Sequence, residues 1–269
     1  MAEALKLMCV LAHPDDESLG TGGTLARYAA EGVETYLLTA TRGQRGWFGN
    51  PDQNPGLTEL GRIREAELRA AARVLGLREV AFLDYVDGDL DRADPAEAVA
   101  RIAGHLRRVR PQVVVTFGPE GAYGHPDHIA ISQLTAAAII RAADAGHAEP
   151  AGRPPHTVAK FYYKVWTARE GRDYQAVFGE IVMPVDGVDR HETAWPEWAV
   201  TTRIDTAAHW RTVWEAVACH RTQLPAYEAL ARLTPEQHQA LWGPQSYYRV
   251  FSLVNGGRAL ERDLFEGLR

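Results

Sequence analysis

The stretch LAHPDDESLGTGG, residues 11–23, places a histidine, two aspartates and a glutamate within the five residues from His13 to Glu17. It follows an apolar run, Leu5–Ala12, that reads as a strand buried on both faces. A helical pattern follows, beginning near Ser18 and closing at Gly32. Acids at a helix start are favoured by the helix dipole, so Asp15, Asp16 and Glu17 taken alone read equally well as the opening of that helix. The glycines of Gly20-Thr21-Gly22-Gly23 lack the spacing of a dinucleotide loop and read as room for close helix packing.

Outward from this stretch, strand and helix alternate. Val33–Ala40 reads as a second strand, and residues 41–57 as a loop rich in Gly, Pro and Asn. Thr58–Leu75 reads as a helix ended by Gly76, and Val80–Leu83 as a short strand. Asp94 caps a helix whose first residue is Pro95 and which runs to about Val109. Gln112–Phe117 is another apolar strand, followed by a helix over about Asp127–Ala145. This order predicts an α/β fold: a mostly parallel sheet with right-handed crossovers and helices on both faces. Beyond it the pattern is less regular. Residues 148–156 are Pro-rich, Val158–Trp166 reads as a strand, residues 183–199 as a surface excursion carrying Trp195 and Trp198, and Asp205 as the cap of a helix through about Cys219. No repeat or linker appears, so a single domain over 1–269 is expected, with its core in 1–146.

Of the 269 residues 46% are apolar and 24% charged, enough for a sizeable core. The net charge of −6, with no run of basic residues, argues against nucleic acid or an anionic membrane surface as partner. The N-terminus turns acidic too soon for a secretory segment, and no window reaches the length of a membrane span. A cytoplasmic protein with two buried free thiols, Cys9 and Cys219, is expected.

A second cluster, GAYGHPDH at residues 121–128, follows the Gln112–Phe117 strand. Two His-Pro-Asp segments therefore leave the carboxyl ends of parallel strands, where open α/β sheets bind ligands. Two imidazoles and a carboxylate suit a divalent ion such as zinc, with positions left for water and a substrate oxygen; Fe(II) takes the same ligand set. A spare carboxylate, Asp15, can accept a proton and His125 can donate one. That combination suits metal-assisted amide hydrolysis.

AHPDDE after an N-terminal strand, together with GHPDH, resembles the PIG-L/LmbE-like zinc-dependent N-deacetylases. That family includes the deacetylases of mycothiol and bacillithiol biosynthesis and the enzyme acting on N-acetylglucosaminyl-phosphatidylinositol. The resemblance covers about residues 5–140 and takes in TRGQRG (41–46), REAELRAAARVLG (64–76) and LDYVDG (83–88). It implies a Rossmann-like fold, zinc ligands at His13, Asp16 and His128, and a general base at Asp15. It implies His125 as acid or oxyanion stabiliser, tuned by Asp127, with Tyr123 assisting. Arg64, Asp84 and Asp87 match positions near the sugar hydroxyls, and His220 and Gln223 in CHRTQ match a late polar segment. On the residues alone Arg64 reads equally as a surface partner of Glu67, and CHRTQ as a polar helix face. Trp47, in the loop beside the first histidine motif, is expected to help select the substrate. Gln44 stands where many members carry Glu, and after residue 145 the Pro-rich segment and the tryptophan-bearing excursion match no family motif. The expected reaction removes an acetyl group from an N-acetylated amino sugar or glycoside. An amidase acting on thiol conjugates and a non-catalytic nucleotide-binding module are the alternatives, and a homo-oligomer is left open.

Overall fold

The computed structural model describes residues 4–147 and 151–269, so residues 148–150 of the Pro-rich stretch lie outside the described residues. Its strands are β1 (Lys6–Leu11), β2 (Glu34–Thr41), β3 (Glu79–Tyr85), β4 (Val113–Phe117), β5 (Lys160–Val165), β6 (Val182–Val185), β7 (Val188–His191), β8 (Thr202–Asp205) and β9 (Pro244–Ser252). The helices are α1 (Asp16–Ala30), α2 (Leu57–Leu75), α3 (Pro95–Val109), a kinked turn α4 (Gly121–Gly124), α5 (Pro126–Ala143), α6 (Ala168–Phe178), α7 (Trp210–Val217) and α8 (Pro235–Trp242). The main sheet runs β3-β2-β1-β4-β5-β9-β8. Its first five strands are parallel, and β9 and β8 extend it in antiparallel fashion. β6 and β7 form a separate hairpin.

β1 is buried along nearly its whole length because helices cover both faces, as its unalternating sequence requires. α1 packs with α2 and α7 on one side, while α3 packs with α5 on the other. From β1 the chain winds toward β3; from β4 it winds the other way toward β5. β1 and β4 are neighbours, so the loops leaving their carboxyl ends diverge and open a crevice at the switch point. Both His-Pro-Asp segments lie there.

Several boundaries differ from the sequence reading. α1 starts at Asp16 rather than near Ser18, because the acids are part of its first turn. Asp205 caps no helix through Cys219. It ends β8, its side chain accepts a bond from the Ala207 N–H, and α7 stops at Val217. Cys9 is buried in β1, but Cys219 lies beyond α7, only half-buried. The 183–199 excursion contains most of the β6–β7 hairpin, which covers the crevice. A Cβ at Gly23 would collide with the Thr206 side chain, so this glycine lets α1 pack closely and forms no phosphate cradle. Among the described residues, no helix is long and apolar enough to cross a membrane.

Candidate metal and active site

The acids of the opening stretch do not cap α1. Asp15, at the N-cap, makes no side-chain capping bond; Asp16 Oδ2 instead accepts from the backbone N–H of Ala12 and of His13, at 3.2 and 2.7 Å. This folds the Asp16 side chain back over the end of β1 and beside His13. His13 Nδ1 then lies 3.7 Å from Asp16 Oδ2. His128, in the first turn of α5 and stacked on Phe117 at 3.9 Å, brings Nε2 to 3.2 Å from His13 Nδ1 and 3.5 Å from Asp16 Oδ1. Three residues thus bring two imidazole nitrogens and the two Asp16 oxygens together, with neighbouring atoms 3.2–3.7 Å apart. The edge of a tetrahedron with ligands 2.0–2.1 Å from its centre is about 3.4 Å, so the spacing fits a zinc-sized ion.

The other nitrogen of His13 is already engaged. Its Nε2–H faces Asp127 Oδ2 at 3.1 Å and Asp87 Oδ1 at 3.2 Å, which leaves Nδ1 for an ion. Asp127 is fully buried and fixed by the N–H groups of Gly88 and Leu90, at 2.7 and 3.1 Å. A second grouping, His13, His125 and Asp127, has suitable spacing but its oxygens are taken by these bonds. The Asp127 carboxylate therefore orients His13. Its hydrogen bond to His125 is made by its backbone: the Asp127 N–H donates to His125 Nδ1 at 3.1 Å, making His125 the N-cap of α5.

Asp15 is held apart from this cluster. Its Oδ2 accepts from Arg64 Nη2 at 3.2 Å and from the Tyr227 hydroxyl at 2.9 Å. Arg64 is buried, so it is no surface partner of Glu67, and its guanidinium occupies the space a Cβ would need at Gly43 or Gly46. Those two glycines of TRGQRG make room for it. Asp15 has φ 116°, and Ala122 in the second motif has φ 64°; such conformations cost about 1–3 kcal/mol each and gather at functional sites. The Asp15 turn is braced from behind, where Glu17 Oε2 accepts the Asp15 N–H at 3.0 Å and Glu17 Oε1 is bonded to His220 Nε2 at 2.8 Å.

One cavity of about 680 Å³ gathers His13, Asp15, Asp16, Arg64, His125 and His128. Tyr123, Asp87 and Gln223 also line it. Three expected substrate contacts do not. Asp84 sits at φ 62°, exposed, paired with Arg42 and turned away. His220 is fully buried behind Glu17. Trp47 folds onto its own loop, bonding the Asn50 carbonyl, and its neighbour Phe48 lines the cavity instead. Tyr227, Glu17 and the apolar residues of α6 and β6 were not foreseen. They come from distant or featureless segments, and only the third acid of DDE was a signal.

A model of the PIG-L family, described as GlcNAc-PI de-N-acetylase, matches residues 8–139. A 1D-myo-inositol 2-acetamido-2-deoxy-alpha-D-glucopyranoside deacetylase of Kineococcus radiotolerans is 36% identical, covering 98% of this chain and 83% of its own. The chain belongs to the PIG-L family. Among solved structures, the conserved protein TT1542 of Thermus thermophilus is 28% identical with a TM-score of 0.65, over 94% of this chain and 97% of that one. GalB, the 4-carboxy-2-hydroxymuconate hydratase of Pseudomonas putida, superposes with a TM-score of 0.69 at 22% identity, over 95% and 100%. It shares the fold. In this PIG-L family member the position of Gln44 is structural as well: its Oε1 accepts the Asp87 N–H at 3.2 Å.

Proposed function

We propose that this chain hydrolyses the acetamide of an N-acetylated amino-sugar glycoside, releasing acetate and the free amine. The observation that carries the reading is the convergence of His13 Nδ1, Asp16 and His128 Nε2 on one point, beside an independently held Asp15. The fold alone would not select it, since a hydratase shares that fold. The inositol glycoside named for the Kineococcus relative is the first substrate to try.

Zinc, or another divalent ion such as Fe(II), would be held by His13, Asp16 and His128; when bound it supplies Lewis acidity toward water and the acetyl carbonyl. Asp15 takes the proton of the attacking water. Arg64 and Tyr227 both bind its Oδ2, which leaves Oδ1 to the cavity and to the water. His125 accepts the Asp127 N–H at Nδ1, so the neutral ring carries its proton on Nε2. An imidazolium would break that bond. His125 therefore acts as a neutral donor to the oxyanion that develops on the acetyl oxygen, and Asp15 returns its proton to the departing amine. The Tyr123 hydroxyl, whose pKa burial raises above its ordinary value, stays protonated in the same cavity.

The test is to incubate zinc-replete protein with a panel of N-acetylated sugars and small amides, and to assay acetate and amine. Asp15→Asn should retain the metal while turnover falls by about 10²–10⁴-fold, the range for a lost general base. Absence of acetate from every sugar, with metal bound, would overturn the proposal.

A further inference from the structure

The cavity has a second half that the chemistry above does not use. It is closed by α6 and the β6 segment, and there its walls are Leu19, Trp166, Tyr174, Phe178, Val182 and Met183. Trp166 meets Tyr174 edge-on at 6.3 Å, Tyr174 stacks on Phe178 at 5.5 Å, and Phe178 meets Tyr227 edge-on at 5.9 Å. These rings form one wall that ends at Asp15. The hydroxyls of the wall are already engaged: Tyr174 donates to the Leu19 carbonyl and Tyr227 to Asp15. What the wall offers the cavity is carbon. The acidic side chains on this half are Glu180, paired with His191, and Glu192, whose carboxylate lies against Gly171 with Oε1 free of hydrogen bonds among the described residues.

A polyhydroxylated ring placed here would give up water and find few partners, whereas an apolar group would gain by burial. The total of about 680 Å³ leaves room for a sugar ring at the polar half and a second group beyond it. We propose that the α6–β6 half is an acceptor subsite for an apolar aglycone, aromatic or alkyl, carried by the N-acetylated sugar. This rests on the deacetylase reading above and names the class of glycoside that such an enzyme would prefer.

The test uses the zinc-loaded full chain and three α-glycosides of N-acetylglucosamine, with methyl, phenyl and inositol aglycones. The amide that breaks is remote from the aglycone, so leaving-group electronics do not confuse the comparison. kcat/KM for the phenyl glycoside should exceed that for the methyl glycoside by about tenfold or more, and should also exceed that for the inositol glycoside. Phe178→Ala should bring the phenyl-to-methyl ratio toward one. Val182→Asp, at an exposed position where folding is not at risk, should do the same. A phenyl rate no better than methyl, an inositol glycoside preferred over phenyl, or a ratio untouched by Val182→Asp would overturn the subsite while leaving deacetylation standing. No turnover of any of the three would overturn the deacetylase reading and the subsite with it.

Discussion

At the β5–β9–β8 end of the sheet, Glu261 is 1% exposed and both its oxygens are fully used. Oε1 accepts from Lys160, Arg249 and Asn255, each at 2.7 Å; Oε2 accepts from Tyr162 at 2.8 Å and Thr202 at 2.6 Å. Against its burial, the bonds from Asn255, Lys160, Thr202 and Tyr162 hold its pKa down to about 2. The β1–β4 crevice is the opposite case. Asp15, Asp16, Asp87 and Asp127 crowd together there; Arg64 bonds Asp15, and the other three face His13 or His128. Burial first, and then the charge of Asp15, pushes the Asp16 carboxyl up to about 7 despite the neighbouring His13. Both clusters bury charge. In the first the protein supplies the matching cations and donors, which is what a structural ion pair needs. In the second the one guanidinium reaches Asp15 and leaves Asp16 to two imidazoles, a set that a divalent ion would complete.

The sharpest way to break this comparison is to remove a member from each cluster. Asp16→Ala takes away a ligand, so metal content should fall and kcat/KM should drop by about 10³-fold or more, with partial recovery in excess zinc. Metal analysis alongside kinetics checks it, and full metal content in Asp16→Ala would end the ligand assignment. Glu261→Gln strands Lys160 and Arg249 in a buried site, which should cost about 3–5 kcal/mol of stability, read by denaturant unfolding. Its metal content should stay at the wild-type level. The pH dependence follows from the depressed pKa. Glu261 contributes stability above its unfolded value of 4.5, and that contribution is lost as pH falls from there through about 2. Wild type should therefore lose more stability across that window than Glu261→Gln, and equal losses would remove Glu261 from the account.

The two clusters also differ in how far the sequence disclosed them. His13, Asp16 and His128 were legible because each sits within a few residues of a strand end, and the strand–turn–helix pattern is local. Arg64 was legible only through resemblance, although its burial depends on Gly43 and Gly46 in the loop that precedes its helix. Asp84 and Asp87 looked alike in LDYVDG. The backbone at Asp84 takes φ 62° and turns that side chain outward, a reversal that spacing does not encode. Glu261 and Tyr227 reach their partners across long stretches of chain, 101 residues to Lys160 and 212 to Asp15, so nothing local marks them. β9, by contrast, carries a local signal. Tyr247, Tyr248, Val250 and Phe251 lie between Gly243-Pro244 and Asn255-Gly256-Gly257, the pattern of a strand bounded by turns.

A smaller effect is expected one step behind the ligands. Asp127→Asn keeps the size of the side chain that Gly88 and Leu90 hold, but weakens the acceptor for His13 Nε2–H. Metal affinity should fall about 10–100-fold, the usual consequence of losing such a partner. Competition with a zinc chelator measures it. If Asp127 acted instead on His125, rate would fall while affinity held, and the contrast between the two clusters would narrow.

The smallest expected effect concerns Tyr227, a positioning residue at the end of the aromatic wall whose hydroxyl is bonded to Asp15. Burial keeps its hydroxyl pKa well above the ordinary value, so it is a permanent donor to Oδ2. Arg64 Nη2 binds the same oxygen, so the two donors fix the carboxylate as a pair. Tyr227→Phe removes one of them without emptying the space, and a lost bond to a charged acceptor is worth about 1.5 kcal/mol, or roughly tenfold in kcat. Zinc content should not change. Arg64→Lys shortens the other donor, and because both act on one atom the two losses should not add. A double-mutant cycle on kcat should give a coupling of about 1 kcal/mol. Additive losses would mean that Tyr227 contributes as part of the aromatic wall, by shape, and that Asp15 is held by Arg64 on its own.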